Sequence, residues 1–353
     1  MLDLVKVLTP WIVSFLSGLV FSPIILYYLL KYRAWRKGVN TKTVLLEDGS
    51  ENKISSIINK NDKDLKTPRM GGLVIVISVI FTISVFWLVS LLVNGNVSGS
   101  MDILSRKETW LPFVAFLAGS FMGLIDDIFT IKEIKIGEFI GLPLKYRLFF
   151  VVLVSSLIGW WFYAKLGYDS INFPIFGSVF IGAWFILYFV VVFTSVFATS
   201  NIDGLDGLSG GIMASIYSVM GFIALYQDKL DISAFCFVVV GGIMAFLWFN
   251  VPPAKFYMTE VGYNALSFTL VIIAFMTNTV LLLPIIAFPL FITLLTTVLQ
   301  ILSIRIFKKR ILRVAPLHHH FEALGWSTAT IVMRYWIVSV IFGVLGLVLA
   351  VTT

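Results

Sequence analysis

The chain alternates long apolar runs with short polar connections, and that alternation sets its fold class. Ten stretches are apolar enough to be read as membrane helices, near residues 10–30, 71–93, 111–126, 148–164, 178–198, 209–226, 233–249, 263–278, 280–304 and 331–351. About 18 or more mostly apolar residues can cross the hydrocarbon core of a bilayer as a helix, because a helix satisfies its own backbone hydrogen bonds there. The expectation is an all-α, polytopic integral membrane protein with about ten transmembrane helices. Asn278 divides the eighth run from the ninth only weakly, and Pro284 and Pro289 predict a kink in the ninth. The polar connections are too short for a separate soluble domain, so residues 1–353 read as a single transmembrane domain.

Charge adds an orientation. Of the 26 Lys and Arg, five (Lys6, Arg106, Lys107, Lys165 and Lys229) fall on one side of the alternating helices and the rest on the other. The positive-inside rule then puts the connections 31–70, 127–147, 199–208, 250–262 and 305–330 in the cytoplasm and both termini outside. Basic loops facing anionic lipid headgroups explain the net charge of +7, so no nucleic-acid partner is expected. The first run is followed by no small-residue cleavage site and reads as a retained helix. The single Cys236 lies in an apolar run, where it cannot form an intrachain disulfide.

With only 13% of residues charged, the few acidic and imidazole groups stand out, and they gather at the predicted cytoplasmic ends. Asp126-Asp127 closes the third run. Adjacent helical residues point about 100° apart, so one carboxylate can approach a reacting phosphate or a metal while the other orients a neighbour. Asp203-Gly204-Leu205-Asp206-Gly207 puts carboxylates at i and i+3 among glycines that allow close backbone approach to a ligand. Carboxylates suit Mg²⁺, which takes one or two of them plus substrate phosphate oxygens. Asp206 can instead accept a hydrogen bond from a base or sugar, and the plain alternative for one Asp is a helix cap.

The connection from Asn250 to Glu260 carries a cation, two aromatics and a carboxylate. Lys255 can neutralise a diphosphate, Phe256 or Tyr257 can stack on a base, and Glu260 can ligate a metal. An interfacial aromatic anchor beside a snorkelling Lys is the competing explanation. The only three histidines of the chain are consecutive, His318-His319-His320. Imidazole can donate to a phosphate, bind a metal or carry a proton near neutral pH. Phosphate binding is favoured over zinc, because the other candidate ligands are oxygens.

The ordered motifs Lys66-Thr67-Pro68-Arg69-Met70-Gly71-Gly72, Asp126-Asp127, Asp203-Gly204-Leu205-Asp206, Pro253-Ala254-Lys255 and Ala315-Pro316-Leu317-His318-His319-His320 resemble those of the phospho-N-acetylmuramoyl-pentapeptide transferases. These belong to the polyprenyl-phosphate N-acetylhexosamine-1-phosphate transferases. The resemblance implies a Mg²⁺-dependent enzyme of the bacterial inner (plasma) membrane with its active site in the cytoplasmic loops. It implies transfer of phospho-N-acetylmuramoyl-pentapeptide from its uridine diphosphate (UDP) carrier to undecaprenyl phosphate, giving the first lipid-linked peptidoglycan precursor and uridine monophosphate. Carried over residue by residue, it makes Asp126, Asp127, Asp203, His318 and His319 the catalytic candidates. Lys66, Asn201, Asp206, Asn250, Lys255, Tyr257, His320 and Arg147 become candidates for substrate binding, and Asp203 and Glu260 for the metal. A homodimer is compatible with the sequence, which does not set the oligomeric state.

The chain departs from the family pattern at several of these places. The family usually has Thr where Arg69 stands, Gly-Asp where Thr259-Glu260 stands, and Lys where Arg147 stands. Asn201-Ile202-Asp203 is one residue shorter than the usual Asn-x-x-Asp, with Ser200 in the usual Asn place. Charge type survives where chemistry needs it, which marks a divergent active branch. The rivals are a sister transferase using another nucleotide-activated N-acetylhexosamine, against which the triple His argues, and a transporter or flippase, whose signature of mid-helix charges and internal repeats is missing.

Overall fold

The computed structural model describes residues 2–35, 67–92, 103, 109–136, 139–173 and 177–352. Among these residues ten helices are long and apolar enough to cross a membrane, and the protein is a multi-pass membrane protein. They are α1 (Leu2–Lys31), α2 (Leu73–Leu92), α3 (Trp110–Ile131), α4 (Leu144–Leu166), α5 (Trp184–Phe197, whose span is carried on to Ile202 by a 3-10 turn), α6 (Leu208–Tyr226), α7 (Leu230–Asn250), α8 (Thr259–Met276), α10 (Phe288–Phe307) and α12 (Thr328–Thr352). The short helices α9 (Leu283–Ile286) and α11 (Leu317–Ala323) join the last three. Outward faces are apolar, as Ile12, Leu16 and Val20 of α1 or Ile337, Ile341 and Val344 of α12 show.

Three expectations change. Helix α3 runs on to Ile131, so Asp126-Asp127 lies inside a helix rather than at its end. The predicted fifth span loses its start, because Gly177–Phe180 (β4) pairs antiparallel with Ser170–Phe173 (β3), in the register Ser170↔Phe180. A second small hairpin pairs Lys135–Ile136 (β1) with Phe139–Ile140 (β2). The 263–304 stretch is divided after Met276, with Asn278 at φ 54°. Pro284 and Pro289 sit in the first turns of α9 and α10, where the missing N–H has no helical partner to lose, so they start helices instead of kinking one.

Helix α8 is the centre of the bundle, with every residue from Val261 to Met276 buried. Gly119 and Gly123, one turn apart on α3, let that helix touch the backbone of α8; a Cβ at either would collide with Asn264 or Glu260 main-chain atoms. On another side, Phe189 of α5 stacks on Phe275 at 4.5 Å and Phe193 meets Phe268 edge-on at 4.7 Å. The C-terminal end of α8 is capped by a cation: Lys229 Nζ donates to the Met276 carbonyl at 2.6 Å, and Gln227 Nε2 to that of Thr277 at 2.9 Å. Lys6 and Asp231 form an ion pair of 2.5 Å between the starts of α1 and α7, nearly shielded from solvent. These contacts fix where the opposite, N-terminal end of α8 must lie.

Candidate active site

Four amide N–H groups at a helix start have no partner within the helix, and at α8 two aspartates, Asp127 from within α3 and Asp203 from the connection before α6, supply partners. Asp203 Oδ2 accepts the Thr259 N–H at 3.0 Å, while Asp127 Oδ2 accepts the Val261 N–H at 3.0 Å and the Thr259 hydroxyl at 2.6 Å. The same hydroxyl oxygen accepts the Met70 N–H at 3.1 Å, tying in the segment before α2. Negative charge there is favoured by the helix dipole. Thr259 makes these contacts with a left-handed backbone, φ 56°, unusual for a β-branched residue. Asp203 Oδ1 also accepts the Ser209 hydroxyl at 2.5 Å. Burial raises the proton affinity of Asp203, and the Ser209 and Thr259 bonds and the Arg69 charge offset part of that rise.

A second layer of charge is organised by Arg147. Its Nη2 meets Asp126 Oδ2 at 3.0 Å, its Nη1 meets Glu260 Oε1 at 3.0 Å, and its Nε donates to the Leu142 carbonyl at 3.0 Å. Asp126 Oδ1 accepts the Leu142 N–H at 2.8 Å, so the connection between β2 and α4 is fastened to α3. The planar guanidinium can bridge two carboxylates in a way that a point-like ammonium cannot. Glu260 Oε2 is buried and has no hydrogen-bond partner among the described residues.

These groups surround a cavity of about 240 Å³ whose wall includes Asp203, Glu260, Arg69, Tyr257, Thr259 and Tyr263. Asn250, Ser200, Gly204 and Leu205 complete it. Asp126 and Asp127 are fully buried behind the wall and bonded as described. Asn250 faces the cavity while its amide clamps two loops: Oδ1 accepts the Gly207 N–H at 2.9 Å and Nδ2 donates to the Phe256 carbonyl at 2.8 Å. Asp206 Oδ2 accepts the Ala254 N–H at 3.0 Å, a further clamp between the same loops. Phe256 is buried against Phe246, with ring centroids 5.5 Å apart, which leaves Tyr257 as the aromatic of this loop that faces the cavity. Lys255 is exposed, its Nζ 5.3 Å from the Phe249 ring centre, and Asn201 is exposed on the turn before Asp203. Neither residue lines the cavity. Lys66 lies outside the described residues.

The histidines divide by role. His318 is fully buried against Gly204, where an added Cβ would lie 2.6 Å from His318 Nε2, so the absence of a side chain at 204 is a packing requirement. Burial pushes its proton affinity down to a pKa of about 3, and the neighbouring His319 acts in the same direction, so the ring is neutral at physiological pH. His319 Nδ1 bonds Glu322 Oε2 at 2.7 Å. His320 Nδ1 accepts the Arg313 N–H at 3.2 Å, holding the turn before α11.

Around the cavity, Asp126, Asp127, Asp203 and Glu260, when ionised, outweigh Arg69 and Arg147 by two negative charges. The donors are oxygens, and Glu260 contributes an oxygen with no protein partner. That set fits a hard divalent cation. Among the described residues no three His, Cys, Asp or Glu side chains are grouped as a cage, and Mg²⁺ does not need one, since substrate phosphates and water fill its remaining positions. Arg69, Thr259 and Tyr263 had no assigned role in the sequence reading. Arg69 was legible as a cation directly before an apolar run; Thr259 and Tyr263 gave no signal, because their importance lies in partners far away in sequence.

A model of Glycosyl transferase family 4 matches residues 109–278. A phospho-N-acetylmuramoyl-pentapeptide-transferase of Geobacillus thermodenitrificans is 30% identical to the chain over 339 residues, 95% of each. One from Listeria monocytogenes is 32% identical over 282 residues, 78% of this chain and 82% of its own. One from Clostridium perfringens is 29% identical over 339 residues, 96% of each.

Proposed function

Because the chain belongs to the phospho-N-acetylmuramoyl-pentapeptide transferases, we propose that it moves phospho-N-acetylmuramoyl-pentapeptide from UDP to undecaprenyl phosphate. The observation that carries this reading is the cavity at the start of α8, where Asp203, Glu260, Arg69 and Tyr257 line one space at the end of an apolar bundle. A phosphorylated lipid can bring its head group to such a place while its chain stays among apolar helices. The distribution of Lys and Arg supports a cytoplasmic setting for it.

In the reaction, an oxygen of the lipid phosphate bonds to the β-phosphorus of the nucleotide, and the bond from that phosphorus to the bridging oxygen breaks. Uridine monophosphate leaves with that oxygen, and the product is a lipid diphosphate carrying the sugar. The attacking phosphate is largely ionised near neutral pH, its second pKa being about 6, so no strong base is required. Asp203 and Glu260 would hold Mg²⁺, which when bound offsets the repulsion between the two phosphates and the charge that develops on the leaving group. Asp127 and Asp126 act through other groups: the first fixes the turn that presents Glu260, the second fixes Arg147. Tyr257 supplies a face on which the uracil ring stacks. His318 keeps the Asp203-Gly204 turn in place as a neutral ring.

Purified protein is expected to release uridine monophosphate from the muramoyl-pentapeptide nucleotide in the presence of undecaprenyl phosphate, and to need a divalent cation for it. If the plain N-acetylglucosamine nucleotide is the better substrate, the sister-transferase reading replaces this one.

A further inference from the structure

Two guanidiniums stand at the cavity, and they differ in how much of their bonding capacity is spent. Arg147 is committed to Asp126, Glu260 and the Leu142 carbonyl, each at 3.0 Å. Arg69 lines the cavity directly, and its side chain keeps 29% of its surface open. Among the described residues its guanidinium makes one hydrogen bond, from Nη2 to Asp127 Oδ1, at a long 3.4 Å. Its Nε is buried with no acceptor. A guanidinium carries five N–H donors in a fork that matches carboxylate and phosphate oxygens, and leaving a buried charged donor without a partner is unfavourable. Asp127 Oδ2 already accepts from Thr259 and Val261, so only Oδ1 faces Arg69, and one oxygen cannot serve all five donors of the guanidinium.

We propose that Arg69 is the substrate-binding cation of this site, its free donors taking a phosphoryl oxygen of one of the two substrates while Arg147 only positions carboxylates. The proposal rests on the transferase reading for its ligand class. Asp203 and Glu260 line the same cavity, so a phosphate group held there would be within reach both of the guanidinium and of a cation bound to those carboxylates. The Thr that the family resemblance has at this place could not make the same charged contact. Two phosphates meet in the reaction, the nucleotide diphosphate and the lipid monophosphate, and either can supply the oxygen.

The test compares wild type with Arg69→Lys, Arg69→Gln and Arg69→Thr, using full-length protein in nanodiscs. Two quantities are measured: steady-state constants for each substrate, and calorimetric affinity for UDP without lipid acceptor. Arg69→Gln is expected to raise one substrate's KM at least tenfold with a smaller change in kcat, and Arg69→Lys to recover part of it. A raised nucleotide KM with a matching loss of UDP affinity identifies the donor diphosphate; a raised lipid KM alone identifies the acceptor. Both KM values within twofold of wild type, with unchanged UDP affinity, would overturn the proposal and leave Arg69 as a partner of Asp127 only. A fall in kcat alone would do the same. If Arg69→Gln does not fold, the same criteria apply to Arg69→Lys, whose charge is kept and whose fork is lost. If wild type fails to turn over the muramoyl-pentapeptide nucleotide yet binds UDP in an Arg69-dependent way, the substrate assignment falls and the role of Arg69 stands.

Discussion

Replacement of Thr259 separates two opposing terms at the start of α8. The residue is held at φ 56°, and left-handed backbone in a non-glycine residue costs roughly 1–3 kcal/mol, with a β-branched side chain toward the upper end. Against that stand two buried hydrogen bonds, 2.6 Å to the Asp127 carboxylate and 3.1 Å from the Met70 amide. A bond to a charged group contributes about 1.5–3 kcal/mol and a neutral one about 1 kcal/mol. Thr259→Gly removes both bonds and relieves the strain, for a net loss of about 1–2 kcal/mol. Thr259→Ala removes both and keeps most of the strain, for about 2–4 kcal/mol. Thr259→Ser keeps both bonds and loses the methyl, so it should lie within about 0.5 kcal/mol of wild type. The expected order of stability is therefore Ser close to wild type, then Gly, then Ala. Thermal denaturation of the four proteins in one detergent, read alongside turnover, gives the ranking. A glycine variant as stable as wild type would mean that the strain cancels the bonds in full, and an alanine variant above glycine would remove the strain argument altogether.

Arg147→Gln leaves Asp126 and Glu260 without their shared cation; a loss of about 2 kcal/mol is expected, between the values for exposed and fully buried pairs. The double variant Arg147→Gln, Glu260→Gln should regain a measurable part of that stability in a double-mutant cycle, and strict additivity would deny the coupling. His318 binds protons less readily in the folded protein, with its pKa near 3 against 6.5. Its contribution to stability is thus present above about pH 6.5 and falls by roughly 1.4 kcal/mol for each pH unit below that. Denaturation between pH 4 and 8 should show this slope diminished in His318→Asn, and no inflection of turnover near pH 6.5 should belong to this ring. Gly123→Ala sets a methyl against the Glu260 backbone; it should unseat α3 from α8, lowering both stability and turnover, whereas a fully active variant would show that the approach of the two helices is not required.

Hydropathy was enough to find the ten spans because each must be apolar along its whole length to sit in lipid. It was weaker at their ends. Glu260 belongs to the first turn of α8, not to the loop before it, since the helix start is set by partners on α3 and before α6 that no local pattern reveals. The residue types of the site were legible as well, carboxylates and imidazoles being costly to retain beside a membrane. Their geometry was not. Phe256 and Tyr257 are adjacent in sequence and indistinguishable by type, yet one packs on Phe246 and the other faces the cavity. Asn250 and Asp206 read as ligand contacts, and the structure gives each a backbone amide from the neighbouring loop. Such assignments depend on contacts between segments tens to hundreds of residues apart.

The burial of His318 against Gly204 also bears on how the protein is made. A membrane chain enters the bilayer from its N-terminal end, so Arg69, Asp127, Asp203 and Glu260 are delivered well before α11. Until α10 has been inserted and α11 folds back, the Asp203-Gly204 turn has no ring over it. The cavity wall at the Asp203-Gly204 turn is thus backed by a segment synthesised after all four of these charged residues. A nascent chain that stops short of α11 would hold its acidic groups in an unfinished site, so turnover is expected only after α11 has folded back onto the Asp203-Gly204 turn.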